Sequence, residues 1–177
     1  MDIPQRCRDE EGYLVRQHLM KDIPYGRRTV AKTGCGFMAV YNAARYFALP
    51  VTESEVWRYF HRHVFLGGIM GTTIFHVCRG LRRFGMKVTG VRYRDLKGAK
   101  AGILWYHTGR SRHYVLVRRC EDGRYAFPNS SAPGPMTFPE FYGRYVKHLR
   151  LPPLLDLPIM FTVTAARRDK TAADSKD

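Results

Sequence analysis

An α+β fold, with N-terminal helices packed on a C-terminal antiparallel sheet, follows from two spacing patterns and one turn. The first half of the chain repeats apolar residues at helical spacing, between residues that cap helices. From Met86 onward the pattern changes to short β-branched and aromatic runs separated by turn residues. Within that half the triplet "EDG", residues 121–123, joins two runs as a hairpin, and a hairpin is antiparallel.

The first helix is expected over Cys35–Phe47, with Met38, Tyr41 and Ala44 among its buried positions, stopping before Pro50. The second lies in "TESEVWRYFHRH". There Thr52 and Glu55 have capping-box spacing, and Val56, Tyr59 and Phe60 share a face. A third starts after Gly71 with Thr72 or Thr73 as cap, runs through "IFHVCRGLRRF", and stops at Gly85. The strands are "MKVTGVRY", "GILWYH", "HYVLVRRC", "RYAFP" and "IMFTVTA". A helix in "FPEFYGRYVKHL", with Thr137 and Glu140 as a second capping box, precedes the last strand.

With 177 residues, 45% hydrophobic and 13% aromatic, the chain is a single globular domain rather than a disordered one. The domain is expected over residues 12–164, between an N-terminal arm, 1–11, and a disordered tail, 165–177. No apolar run approaches the ~20 residues of a membrane span. The charged N-terminus lacks a signal-peptide core, which points to the cytoplasm. Cys7, Cys35, Cys78 and Cys120 are scattered and are expected to stay free thiols in a reducing compartment.

Lys and Arg number 30 against 15 Asp and Glu, a formal charge of +15 that attracts acidic substrates, acidic protein surfaces or nucleic acid. "VWRYFHRHVF" and "EFYGRY" alternate aromatics with arginines. This reads as helices with rings inward and arginines solvated, so nucleic acid is an open but not the favoured partner. "GGIMGTT" lacks the lysine of a phosphate loop. No CxxC, HExxH or carboxylate cluster occurs, and His61/His63 and His76/Cys78 are two apart on helices and diverge. No metal or cofactor is expected.

In "KTGCGFMAVYNAARYF" a cysteine stands between two glycines where an apolar helix begins. The plain reading of Cys35 is a small buried residue at a tight turn. The chemical reading is a nucleophile, since helix N-terminal N–H groups stabilise a thiolate and can hold an oxyanion. Gly34 and Gly36 would leave the approach open, and Gly71 would form a flexible lip of the cleft along which substrate lies.

A thiol nucleophile needs a base, and His113 opens the most apolar strand, "HYVLV", after the polar turn "TGRSR". Otherwise it is a solvent-exposed strand-edge histidine. The return arm of the EDG hairpin brings Asn129 near the start of that strand, where its side chain could accept the imidazole N–H. Equally, "PNSSAPG" is turn chemistry in its own right.

"TGCGFMAVYNA", then "HYVLV", then "FPN" resembles the papain-like cysteine peptidases, and within them the peptidase C39-like families, over roughly residues 28–150. The resemblance implies a papain-like fold with Cys35 as nucleophile, His113 as general base and acid, and Asn129 as the group orienting the imidazole. It implies a cysteine peptidase or amide hydrolase that forms an acyl-enzyme on a peptide or protein substrate. Acyl transfer to an amine is a variant of the same chemistry. The alternative is an inactive papain-like binding domain engaging an acidic protein or nucleic acid.

Such families place a glutamine five or six residues before the nucleophile. Here the stretch reads "RRTVAK", which offers only the Thr29 hydroxyl and the Lys32 charge as substitutes. Gln5 and Gln17 lie much further upstream. Asn129 also follows Pro128, where the usual pattern has Asp before Pro, which leaves Ser130 as an outside candidate for the orienting role.

Overall fold

The structure is a computed structural model and describes residues 1–166, apart from 69–70, 93–95, 97, 110 and 148–157. A two-stranded hairpin, β1 (Pro24–Tyr25) and β2 (Arg28–Thr29), leads into a one-turn helix α1 (Val30–Thr33). Then come α2 (Cys35–Tyr46), α3 (Glu53–Arg62) and α4 (Ile74–Arg83). The second half contributes β3 (Met86–Arg92), β4 (Ala101–His107), β5 (Arg112–Arg119), β6 (Tyr125–Ala126), α5 (Phe138–Tyr145) and β7 (Ile159–Ala165). Strands β3 to β7 form one sheet in the order β3-β7-β4-β5-β6, every pairing antiparallel. The fold is α+β, and among the described residues no helix is long and apolar enough to cross a membrane.

Local chemistry sets the helix starts. Thr52 and Thr137 each accept the N–H of the glutamate three residues on, and that glutamate reaches back to the threonine's own N–H at 2.8 Å. Thr73 caps α4 by accepting the His76 N–H. Gly85, at φ +77°, ends that helix in the left-handed region that glycine takes without strain.

Strand alternation splits the core in two. Ile103, Tyr114, Leu116, Phe161 and Val163 face α2, α3 and α4, against Phe37, Val40, Phe60 and Leu81. Their neighbours Leu104, Tyr106, Val115, Val117 and Met160 face Phe127, Phe138 and Phe141 on the opposite side.

The first eleven residues, expected as an arm, instead enter the core: Ile3 and Cys7 are buried among the α2 side chains. Buried Asn42 holds the segment that follows them. Its Oδ1 accepts the Leu14 N–H at 2.8 Å and its Nδ2 donates to the Leu14 carbonyl at 2.9 Å, which ties residues 13–20 along α2. The tail boundary moves too, because Thr164 and Ala165 pair with Lys87 and Met86 in the sheet. Residues 167–177 lie outside the described residues.

Candidate active site

Cys35 is the first residue of α2, with Gly34 as its N-cap. Both flanking glycines are buried, and the reason is packing rather than open approach. A Cβ on Gly34 would lie 2.6 Å from Val30 Cγ1, inside the turn of α1. A Cβ on Gly36 would lie 2.8 Å from Thr72 Cβ. Glycine at 36 lets α2 close onto a buried pair in which the Tyr25 hydroxyl and Thr72 Oγ1 are 2.6 Å apart. Gly71, at φ +72°, is buried against Thr33 rather than exposed as a lip. Of "GGIMGTT", Ile69 and Met70 lie outside the described residues.

His113 is the second residue of β5 and stands opposite Tyr106 of β4, whose ring meets the imidazole edge to face at 5.9 Å. β6 pairs only with Arg118 and Arg119, so the beginning of β5 keeps an edge that no described strand covers. Cys35 occupies that edge. Its sulfur faces the His113 imidazole and the backbone N–H groups of Tyr114 and Gly36. Both Cys35 and His113 are half-buried, neither sealed off nor free in solvent.

These contacts set the charges. Burial pushes the Cys35 thiol up, but the hydrogen bond and positive charge of His113, with the two N–H groups, outweigh it and hold the thiol below its ordinary 9.0. Burial pushes His113 down. The hydrogen bond and negative charge of Cys35, with the Asn129 carbonyl, reverse that and hold the imidazole above its ordinary 6.5. The opposed directions favour a thiolate–imidazolium pair. Tyr106 and Tyr114 beside it are pushed far up, by burial first and then by the Cys35 charge, so both stay neutral hydroxyls.

Asn129 reaches His113 with a different group from the one expected. The imidazole Nε2 donates to the backbone carbonyl of Asn129 at 2.6 Å, which leaves Nδ1 for the Cys35 sulfur. The side chain turns away, and its Nδ2 donates to Gln17 Oε1 at 3.1 Å. The backbone explains the swap: Asn129 has φ +66°, a left-handed turn residue following Pro128, and the peptide plane carries its carbonyl to the ring. Ser130 is not the orienting group either, since its Oγ accepts the Ala132 N–H within the turn.

Gln17 is the residue that sequence reasoning missed. Besides holding Asn129, its Nε2 donates to the carbonyls of Val30 at 2.9 Å and Ala31 at 3.4 Å in α1. It therefore connects the loop that orients His113 to the turn that delivers Cys35. No sequence signal marks it, because the Asn42 clamp on Leu14 brings it there across a spacing that matches no motif. Thr29 N-caps α1 without a side-chain hydrogen bond and lines a groove on its outer side.

No protein-family model matches this chain, and no curated protein matches it. Among solved structures, it is similar to the crystal structure of a double glycine motif protease from an AMS/PCAT transporter in complex with the leader peptide. The two share 17% identity at a TM-score of 0.47, over 75% of this chain and 84% of that one.

Proposed function

We propose that this chain is a papain-like, C39-like thiol hydrolase acting on peptide or amide bonds. The Cys35 thiolate attacks the substrate carbonyl carbon, and the developing oxyanion takes a backbone N–H at the start of α2. The His113 imidazolium gives its Nδ1 proton to the leaving amine as the C–N bond breaks, leaving a thioester on Cys35. Water, deprotonated by the now neutral His113, then attacks the thioester. The thiolate is expelled as the carboxylic acid leaves, and the proton taken from water stays on His113, which restores the thiolate–imidazolium pair. An amine in place of water would make the same apparatus an acyltransferase. Asn129 serves through its carbonyl, which fixes the tautomer with hydrogen on Nε2.

The single observation that carries this reading is that the start of α2 and the start of β5 bring Cys35 and His113 together with opposed shifts. Rapid labelling of Cys35 by iodoacetamide near neutral pH, abolished by His113→Ala, is the expected result. One observation favours the rival, a non-catalytic binding domain: the Gln17 amide is engaged with main-chain carbonyls and does not supply the oxyanion donor such peptidases use. Labelling no faster than that of an ordinary free thiol would decide for the rival.

A further inference from the structure

The groove on the outer side of α1 has a volume of about 490 Å³ and is lined by His18, Lys21, Arg28, Thr29, Ala31 and Lys32. That volume lies within the ~300–1,000 Å³ range of ligand clefts. Four of the six lining residues carry, or can take up, a positive charge. Lys21, Arg28 and Lys32 are exposed, and none pairs with a carboxylate among the described residues. Asp22 is the single acidic residue in the stretch 18–32. Cations converging in a concavity repel one another, and their aliphatic stems cover its apolar floor. Such an arrangement is relieved by a ligand that brings carboxylates.

The chain links the groove to the candidate site. His18 follows Gln17, which holds Asn129, and Ala31 and Lys32 belong to the turn that ends at Cys35. We infer that this groove binds an acidic peptide segment, two or three Asp or Glu side chains seated on Lys21, Arg28 and Lys32, and presents the adjoining peptide bond to Cys35. The inference rests on the hydrolase reading only for what becomes of the bound segment; the binding stands without it. A peptide fits better than a nucleic acid because no Phe, Tyr or Trp lines the groove, and single-stranded nucleic acid needs aromatic faces for its bases.

The test separates this groove from the general positive charge of the protein. Fluorescence anisotropy of a labelled Glu-Gly repeat peptide is measured with the full chain at about 50 mM salt and again at about 500 mM, where exposed charges are screened. Two variants that lose the same charge are compared, Lys21→Gln/Arg28→Gln/Lys32→Gln in the groove and Arg79→Gln/Arg82→Gln/Arg83→Gln on α4. Binding at low salt that weakens by about tenfold or more in the groove variant, and little in the α4 variant, is expected. A matched Gln-Gly peptide should bind neither.

Equal weakening in both variants, or none in the groove variant, overturns the inference. So does tighter binding of a single-stranded oligonucleotide of equal charge that the groove variant abolishes. The groove variant should keep its unfolding midpoint. Slow labelling in the native chain would sink the hydrolase reading while leaving the binding result to stand or fall by itself.

Discussion

The backbone carbonyl of Asn129, not its side chain, accepts the Nε2–H of His113, at 2.6 Å. Every residue type therefore places the same acceptor there, provided the backbone can adopt φ +66°. Asn129→Gly and Asn129→Ala should keep Cys35 labelling within about tenfold of native, where loss of an orienting side chain costs about 10⁴. Asn129→Val should do much worse, because a β-branched residue at positive φ costs about 1–3 kcal/mol and the loop will move to avoid it. The ordering Gly and Ala above Val, read from iodoacetamide rates on folded protein, checks the assignment. Equal collapse in all three would return the role to the side chain.

The pH dependence follows from the signs of the two shifts. Cys35 is held below 9.0, so its thiolate forms at lower pH than that of a free thiol. His113 is held above 6.5, so its proton persists to higher pH than on a free imidazole. The ion pair opens as pH rises through the lowered thiol value and closes as pH passes the raised imidazole value. Iodoacetamide rates should rise along an acid limb displaced below the ordinary thiol range. In His113→Ala burial is the dominant influence left, so that limb should move above it. At neutral pH the variant should label at least about tenfold more slowly, since each pH unit is tenfold in thiolate. An unmoved acid limb in His113→Ala would disprove the pairing.

Helix caps, the EDG hairpin and the strand runs are legible in the sequence because each is a local device: Thr52 with Glu55, or "IMFTVTA" between turn residues, needs no partner elsewhere to be recognised. Cys35 and His113 stand out for the same reason, one at a helix start and one at a strand start. The rest is set by contacts between distant residues. Gly36 is glycine because of Thr72, and Gly34 because of Val30. The hairpin of β1 and β2 has too few residues to show a period. A carbonyl acceptor is invisible in principle, since every residue carries one, so the sequence points to the Asn129 side chain where the structure has its backbone carbonyl.

Asn42 illustrates how one buried polar side chain fixes a segment whose own structure is a bridge and a short 3₁₀ turn. Replacing it with leucine leaves both the N–H and the carbonyl of Leu14 buried without partners, at about 1–3 kcal/mol each if neither finds water. Urea denaturation of Asn42→Leu should show a loss of about 2–3 kcal/mol, and hydrogen exchange should quicken first in residues 13–20. Loss spread evenly over the whole chain would mean that the segment is not held at this point.

Gln17 makes the sharpest test of the site, because it acts only through other residues. Its Oε1 restrains the Asn129 amide, 112 residues away in sequence, and its Nε2 restrains the α1 carbonyls. Gln17→Met keeps the length and removes both hydrogen bonds; Gln17→Glu keeps the acceptor for Asn129 and removes the donor to Val30. If holding Asn129 is what matters, the Met variant loosens the preset carbonyl, His113 swings more freely, and the acid limb of Cys35 labelling moves up by less than about one pH unit, as it should in Asn129→Ala. The Glu variant should stay near native in that limb, even though both variants lose stability of about 1–3 kcal/mol from unpaired polar groups. A purely structural glutamine would lower the unfolding midpoint in both while leaving both pH profiles in place. The separation of profile from midpoint therefore decides whether Gln17 positions the imidazole or merely fills space.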